Sequence, residues 1–221
     1  MLTGEVGLGK TLLCRQLLKS RPNGVRTAFI FNPLPTYEDL LQAIHYDLTG
    51  ERLPGVSYEQ LTRDFYKSLI ALAENGERAA VVLDEAHRFS PDLLEGLRLL
   101  SNLETEKEKL IYLLLVGQPE LEKTIATTEM RPLAQRINIR YRLTPFSRNE
   151  TIGYIHHRLS LANKNRCFHF SHPAKLLAHY VSGGVPRRIN QICDRAIISA
   201  FTLGVKRVNA GILWRAAREI V

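Results

Sequence analysis

The chain has 221 residues, 45% of them hydrophobic, and carries a formal net charge of +8. Its length and apolar content suffice for one large domain, or a domain with a small satellite, and they exclude global disorder. No apolar run approaches the roughly 20 residues that span a bilayer, and the start lacks a secretory signal, so we expect a soluble, cytoplasmic protein.

Apolar segments rich in β-forming residues alternate along the chain with longer segments of helical period. The predicted strands span 25–31, 79–83, 110–116 and 137–143. The predicted helices span 10–20, 37–48, 58–74, 91–103, 119–128, 148–162, 172–182, 187–202 and 208–220. This alternation predicts an α/β fold in which helices cover both faces of a parallel sheet.

Sequence signals mark the starts of two helices. Thr36 precedes a helical pattern with Asp39 three residues later, as in a capping box, and Ser90 precedes a proline at a first helical position. After about residue 143 we find no convincing strand, only helical segments with short breaks. We therefore predict an α/β domain over 1–143 and a helical domain over 144–221.

Residues 4–11 match the phosphate-loop pattern G-x-x-x-x-G-K-[ST], and helical sequence follows at once. Glycines allow backbone N–H groups to curl around phosphate oxygens, and the start of a helix adds partial positive charge. Lys10 is expected to reach the β- and γ-phosphates of ATP, and the Thr11 hydroxyl to bind Mg²⁺. The predicted nucleotide-binding residues are Gly4, Glu5, Val6, Gly7, Leu8, Gly9, Lys10 and Thr11.

A second motif disfavours the alternative of a glycine-rich loop before an ordinary helix. Residues 81–87 read VVLDEAH, so Asp84 and Glu85 follow an apolar strand at the end where doubly wound sheets bind ligands. Asp84 suits the Mg²⁺ shell, directly or through water, and Glu85 is placed to orient and deprotonate an attacking water. A solvated acidic strand end is the alternative, and the upstream phosphate loop disfavours it.

The order and spacing of these motifs resemble AAA+ ATPases, and among them the bacterial ExeA/GspA-like group, which includes an MSHA pilus biogenesis protein. The resemblance covers essentially the whole chain, through LTGEVGLGKT, FNPLPTYEDLLQAI, VVLDEAHRFS, LLLVGQPEL, RPLAQRI and GGVPRRIN. The segments LLLVGQPEL and GGVPRRIN narrow the resemblance from the AAA+ superfamily to this group. The resemblance implies a P-loop NTPase (AAA+) core with a C-terminal helical lid, a hinge near residues 143–147, and a homo-oligomer in ring or filament form.

The resemblance also implies three further site residues. Gln118 looks like the sensor-1 residue, which contacts the γ-phosphate or positions water, with a turn glutamine as the alternative. Arg136 matches the arginine finger that acts on a neighbouring subunit's nucleotide; Arg131 is its rival, and a merely basic surface the alternative. Arg187 resembles the sensor-2 arginine of the lid, a role that Arg188 could take instead, and a solvated helix start is the alternative.

The resemblance implies an ATP-hydrolysing module that energises or regulates assembly of an envelope machine, either a type II secretion system or an MSHA-type pilus. Envelope-assembly proteins would then be its partners, with recruitment to the inner membrane face. The runner-up is a DNA-bound regulatory ATPase of the TniB/TnsC transposition type, with the +8 charge as a duplex footprint. Glu85 disfavours a scaffold that never hydrolyses, and the length disfavours a two-domain DEAH helicase.

Three cysteines are widely spaced, at Cys14, Cys167 and Cys193, so we expect reduced, mostly buried thiols and no cysteine-based metal site.

Residues 1–3 alone precede the phosphate loop, whereas a typical strand has about five to six residues. We therefore expect the functional domain to begin upstream of this chain, and nucleotide affinity and stability to be low for these 221 residues alone.

Overall fold

The computed structural model describes residues 1–105, 109–162 and 168–219. The chain forms two compact units. The first comprises Met1–Glu5 with Lys10–Leu143, and the second comprises Val6–Gly9 with the residues from Thr144 onward. The tip of the phosphate loop is thus grouped with the helical unit, while both ends of the loop belong to the α/β unit.

The first unit is built on a five-stranded parallel sheet. Its strands are β1 (Leu2–Thr3), β2 (Val25–Ile30), β3 (Arg78–Leu83), β4 (Ile111–Gly117) and β5 (Tyr141–Arg142), in the order β2-β3-β4-β1-β5. Because all strands run in the same direction, the loops after β1, β3 and β4 leave the sheet at one edge. That edge carries the candidate site.

Helices and one 3₁₀ turn complete the described part of the first unit, and they cover both faces of the sheet. They are α1 (Lys10–Lys19), α2 (Tyr37–Thr49), α3 (Tyr58–Glu74), the turn Ala86–Arg88, α4 (Pro91–Leu100), α5 (Glu120–Ile125) and α6 (Arg131–Arg136). On one face, buried leucines, isoleucines and phenylalanines of α2, α3 and α4 pack on the sheet; on the other, Cys14 of α1 packs with Leu2, Val82 and Val116. The α/β prediction is confirmed.

The predicted caps form. The Thr36 hydroxyl accepts the Asp39 N–H at 3.1 Å, and the Asp39 carboxylate accepts the Thr36 N–H at 3.2 Å, which completes the capping box of α2. The Ser90 hydroxyl accepts the Leu93 N–H at 3.3 Å, with Pro91 in the first turn of α4. These bonds satisfy backbone donors that a helix leaves free at its start.

Several predicted elements of this unit are shorter than expected. The predicted strand 137–143 reduces to β5, because β1 offers only two residues for it to pair with. Predicted helix 91–103 ends at Leu100, and predicted helix 119–128 reduces to α5. Residues 131–136, to which we assigned no helix, form α6. A helix of six residues is too short to show a helical period, and α6 has no side-chain cap to mark its start. For these two reasons α6 was missed.

A cavity of about 900 Å³ lies within the first unit beside β4. Only Val116 and Gly117 of β4 pair with β1, whereas residues 111–115 line the cavity together with Leu13 and Leu17 of α1. All five strands are therefore hydrogen-bonded side by side only near the end of the sheet that carries the phosphate loop.

The second unit is mainly helical and has its own core. Its helices are α7 (Arg148–Ala162), α8 (His172–Ser182), α9 (Pro186–Thr202) and α10 (Ala210–Arg218), and side chains from all four form one buried apolar cluster. Two short strands, β6 (His169–Phe170) and β7 (Arg207–Val208), pair in parallel, so the prediction of no strand after residue 143 is wrong. Residue 220 of the last predicted helix lies outside the described residues.

Two further findings concern the lengths of the helices and the state of the cysteines among the described residues. No helix among them is long and apolar enough to cross a membrane. Cys14 and Cys193 are free and buried, and burial raises the pKa of Cys14 to about 11, with the Asp84 charge adding to the effect. This thiol is therefore protonated at neutral pH. Cys167 lies outside the described residues.

His45 is a buried polar residue in the core of the first unit. It is only 2% exposed, and neither ring nitrogen has a hydrogen-bond partner within the described part of the chain. Its ring lies 6.4 Å from that of Phe65. Burial lowers the pKa of His45, and the charges of Glu51 and Asp64 oppose that shift only in part. The fold therefore holds this imidazole in its neutral form.

We expect His45 to make the protein less stable in mild acid. Since the folded-state pKa lies below the unfolded value of about 6.5, the unfolded chain takes up the proton first as the pH falls. As far as His45 is concerned, the free energy of unfolding is highest above about pH 6.5, where the imidazole is neutral in both states. Below that pH it falls, by up to about 1.4 kcal/mol per pH unit. Urea unfolding at several pH values should show a weaker acid dependence for His45→Leu than for the parent chain. The exposed His172→Leu should keep the parental slope, and an unchanged slope in His45→Leu would contradict the assignment.

Candidate active site

The phosphate loop joins β1 to α1 and needs glycine at two positions of left-handed backbone. Gly7 has a φ of +84° and Gly9 a φ of +95°. Residues with a Cβ rarely adopt such angles, which cost them roughly 1–2 kcal/mol. The glycines of the motif therefore allow the loop to curl, as a cradle of backbone N–H groups requires.

Lys10 places its ammonium group against the first part of this loop. Its Nζ donates to the Gly4 carbonyl oxygen at 2.6 Å and to the Glu5 carbonyl oxygen at 3.0 Å, and the residue is only 7% exposed. Both carbonyl groups belong to the loop that would enclose a phosphate. The residue that we predicted to reach the β- and γ-phosphates thus lies buried at the loop.

Thr11 and Asp84 meet at the carboxyl end of the sheet. The Thr11 hydroxyl donates to Asp84 Oδ2 at 2.6 Å, although 73 positions separate the two residues. Asp84 is 3% exposed, and its Oδ1 accepts the Glu85 N–H at 2.9 Å. Hydroxyl and carboxylate oxygens are the hard ligands that Mg²⁺ prefers in nucleotide sites. The donor set therefore fits Mg²⁺.

Glu85 has an unusual backbone for a residue with a side chain. Its φ is +53° and its ψ +29°, which makes it the only non-glycine residue with positive φ in the described chain. Such a conformation costs of order 1–3 kcal/mol and is common at functional sites. The turn redirects the chain from β3 into the 3₁₀ turn, and it leaves the Glu85 side chain 36% exposed, open to water.

Gln118, at the end of β4, is joined to the same turn through His87. The Gln118 backbone N–H donates to His87 Nδ1 at 3.4 Å, and the two side chains meet at 3.1 Å between Gln118 Nε2 and His87 Nε2. His87 Nε2 also lies 3.6 Å from Glu85 Oε2. Gln118 and Glu85 are thus brought together around one imidazole. We did not single out His87 from the sequence, although it is the last letter of the VVLDEAH motif.

The two candidate finger arginines are not brought into this cluster. Arg131 and Arg136 occupy the two ends of α6, and both are exposed. The positive charge of Arg136 is one of the lesser causes that lower the pKa of Glu104, after the neighbouring Lys109. Exposure on α6 leaves either arginine accessible to another molecule.

Arg187 belongs to the second unit and is held there at the tip of the phosphate loop. Its backbone N–H donates to the Gly7 carbonyl oxygen at 3.2 Å. The two residues are close enough that a Cβ on Gly7 would lie 2.9 Å from the Arg187 Cβ and 3.2 Å from a methyl of Val185. The side chains of Arg187 and Arg188 are exposed at the start of α9.

The family model of the AAA domain matches residues 1–125. The chain belongs to this family. The chain is 42% identical over 223 aligned residues to the General secretion pathway protein A of Aeromonas hydrophila. The alignment covers 100% of this chain and 40% of that protein. The resemblance to the ExeA/GspA-like group is confirmed. The chain spans about two-fifths of the length of this relative.

Solved structures share the fold of this AAA+ ATPase at low sequence identity. The ADP form of ORC2 from Aeropyrum pernix has a TM-score of 0.73 at 19% identity and covers 99% of this chain and 62% of that one. CDC6P from Pyrobaculum aerophilum has a TM-score of 0.73 at 18% identity, over 100% and 60% of the two chains. The RuvB Holliday junction branch migration motor of Thermotoga maritima reaches 0.62 at 17% identity, over 99% and 60%. These likenesses confirm the predicted P-loop AAA+ fold.

We expect the Gly7→Ala substitution to impair nucleotide binding through its contact with Arg187. Alanine is strained at the positive φ of this position, and its methyl group would press on the side chains of Arg187 and Val185. The tip of the loop must therefore move. Gly50→Ala is the matched control, because Gly50 has a φ of +80° but open space where its Cβ would stand. Titration with a fluorescent ATP analogue should show at least a roughly tenfold loss of affinity for Gly7→Ala and parental affinity for Gly50→Ala. Equal affinities in the two variants would contradict the close approach.

Proposed function

We propose that this AAA+ ATPase binds ATP with Mg²⁺ at the phosphate loop and hydrolyses it with Glu85 as the general base. One observation carries the proposal: the 2.6 Å hydrogen bond between Thr11 and Asp84. It unites the last residue of the phosphate-loop motif with the first carboxylate of the acidic strand end. Glu85, the next residue, then lies beside the two oxygens that would hold the metal.

Each residue of the cluster has a role that its geometry allows. When ATP binds, Lys10 exchanges its hydrogen bonds to the two carbonyl oxygens for bonds to the β- and γ-phosphates. Phosphate oxygens carry more negative charge and bind an ammonium group more strongly. Mg²⁺, held by Thr11 and Asp84, would neutralise charge on the phosphate oxygens. The partly exposed carboxylate of Glu85 accepts a proton from the attacking water, and the Gln118 amide orients that water or contacts the γ-phosphate.

We further propose that Arg136 completes the site of a neighbouring protomer in a ring or filament. Its support is its exposure at the end of α6 and the resemblance of RPLAQRI to the finger segment. A guanidinium group forks onto phosphate oxygens and stabilises the charge of the transferring phosphoryl group. Arg131, exposed at the other end of the same helix, is the rival.

We assign the lid role to the helical unit and the sensor-2 role to Arg187. The support lies within that unit, where the Arg187 N–H binds the Gly7 carbonyl oxygen. A rearrangement of the loop tip when phosphate enters would therefore act directly on the start of α9. Arg188, also exposed there, could supply the charge in its place.

The biological role that we propose is to energise or regulate assembly of a bacterial envelope machine, at the cytoplasmic side of the inner membrane. The 42% identity to a general secretion pathway protein supports a type II secretion system, and the resemblance to the MSHA branch supports a related pilus. Envelope-assembly proteins would be the partners.

A DNA-bound regulatory ATPase is the second candidate, and the distribution of charge supports it. Residues 144–221 contain twelve Lys and Arg against three Asp and Glu, a net charge of +9, whereas residues 1–143 carry a net charge of −1. A duplex would be attracted to such a segment, with an affinity that falls steeply as salt rises. Duplex binding measured with and without ATP at two salt concentrations separates the candidates. ATP-dependent, salt-sensitive binding supports DNA, and feeble, ATP-independent binding supports the envelope role.

We expect Lys10→Ala and Glu85→Gln to separate binding from hydrolysis. Loss of the buried ammonium group should weaken ATP binding by about tenfold or more, whereas loss of the base should leave binding within about twofold and lower turnover by roughly 100-fold or more. Lys19→Ala is the matched control, because Lys19 is exposed at the far end of the same helix. The measurements are ATP affinity by titration and turnover by phosphate release. Equal loss of binding in both variants would refute the role of Glu85.

We expect Arg136 to act on the neighbouring protomer. Arg136→Ala and Glu85→Gln should each be inactive alone, and their mixture should regain part of the activity, since some interfaces then combine an intact base with an intact arginine. The mixture of Arg131→Ala with Glu85→Gln is the parallel test of the rival. Co-assembly is checked by light scattering. If both proteins assemble together and only the Arg131→Ala mixture is rescued, Arg131 is the finger.

A further inference from the structure

We infer that His87 is a positioning residue, which sets the side chains of Gln118 and Glu85 for attack by water. The inference builds on the proposed hydrolysis at this site. His87 is mostly buried, with a side chain 12% exposed, and its ring nitrogens face the two residues to which we give roles in catalysis. Through the ring, the end of β4 is connected to the turn that follows β3.

The contact at Nδ1 determines the tautomer of the ring. The Gln118 backbone N–H can only donate, so His87 Nδ1 must accept, and in a neutral imidazole the proton then lies on Nε2. A ring protonated at Nδ1 would place two N–H groups against each other. The neutral, Nε2-protonated form therefore fits this contact.

The tautomer in turn determines the orientation of the Gln118 amide. Nε2–H is a donor, so the amide group 3.1 Å away must present its oxygen, the choice between oxygen and nitrogen being a matter of hydrogen-bond consistency. The amide NH₂ group is then turned away from His87. It is free of the imidazole and can donate to a phosphate oxygen or a water, as a sensor residue must.

The same N–H group lies within reach of the base. Glu85 Oε2 is 3.6 Å from His87 Nε2, a distance at which a small rotation of either side chain forms a hydrogen bond. His87 can therefore donate to the Gln118 amide or to the Glu85 carboxylate, and it restricts both side chains to one region beside the ring. Fixing the Glu85 carboxylate and the Gln118 amide in place contributes to turnover and not to nucleotide affinity.

Two substitutions separate this positioning role from a structural one. In His87→Asn the amide lies near the former Nδ1, so it can keep the bond to the Gln118 backbone but has no group at Nε2. In His87→Gln the amide reaches the former Nε2 position and can keep the contact with the two side chains. A positioning residue predicts more activity in His87→Gln, whereas a structural support of β4 predicts more in His87→Asn.

The experiment measures kcat, KM and ATP affinity in the full chain, with thermal unfolding as a check of the fold. We expect His87→Ala and His87→Asn to lose roughly ten- to 100-fold in kcat at unchanged affinity, and His87→Gln to regain about a third or more of the parental kcat. The exposed His157→Ala is the matched control and should equal the parent. Parental kcat in His87→Ala, or rescue by Asn and not by Gln, would overturn the inference.

A second measurement tests the geometry whether or not the chain hydrolyses ATP. In ¹⁵N-histidine-labelled protein, the His87 ring should show a protonated Nε2 and an accepting Nδ1. The Gln118→Ala variant keeps the backbone N–H, so it should shift the Nε2 resonance and leave the Nδ1 resonance in place. A proton on Nδ1, or an Nε2 resonance insensitive to Gln118→Ala, would contradict the positioning geometry. Turnover of the parent no higher than that of Glu85→Gln would instead contradict the proposed hydrolysis.

Discussion

The hydrogen bond between Thr11 and Asp84 is the contact on which the site depends. It ties the first turn of α1 to the end of β3, two elements from distant parts of the sequence. Parallel pairing of β3 with β2 and β4 fixes where Asp84 emerges, and pairing of β1 with β4 fixes where the phosphate loop begins. Both the hydroxyl and the carboxylate belong to the α/β unit. Two hard oxygens of the kind that Mg²⁺ prefers therefore lie together in the α/β unit.

The strain at Glu85 follows from that arrangement. Asp84 ends a buried strand and Ala86 is itself fully buried, so the chain must turn sharply between them. The left-handed backbone of Glu85 makes the turn, and the bond from the Glu85 N–H to Asp84 Oδ1 offsets part of its cost. The same turn exposes the carboxylate of Glu85 and directs His87 toward the end of β4. One unfavourable backbone conformation thus positions both Glu85 and His87.

Much of this could be predicted from the sequence, because short-range rules govern it. The phosphate loop, the acidic strand end and the caps at Thr36 and Ser90 are local patterns, and each leads to the expected local structure. The strands β6 and β7 and helix α6 were missed, because two-residue strands and an uncapped helix have no periodicity to detect. The contacts of His87 could not be predicted either. They depend on the register of β4 against β3, which brings two distant segments of the chain within hydrogen-bonding distance.

The division of charge follows the division of the fold. The net charge of +9 lies in residues 144–221, which form the helical unit, and that unit also holds the tip of the phosphate loop at Gly7. An anionic partner that bound this unit would bind the part of the chain whose contacts constrain the loop. If binding of the partner changes the loop, binding of nucleotide must change the affinity for the partner by the same factor, because coupling between two sites is reciprocal. Coupling of that kind would act through the start of α9, where the Arg187 N–H binds the Gly7 carbonyl oxygen.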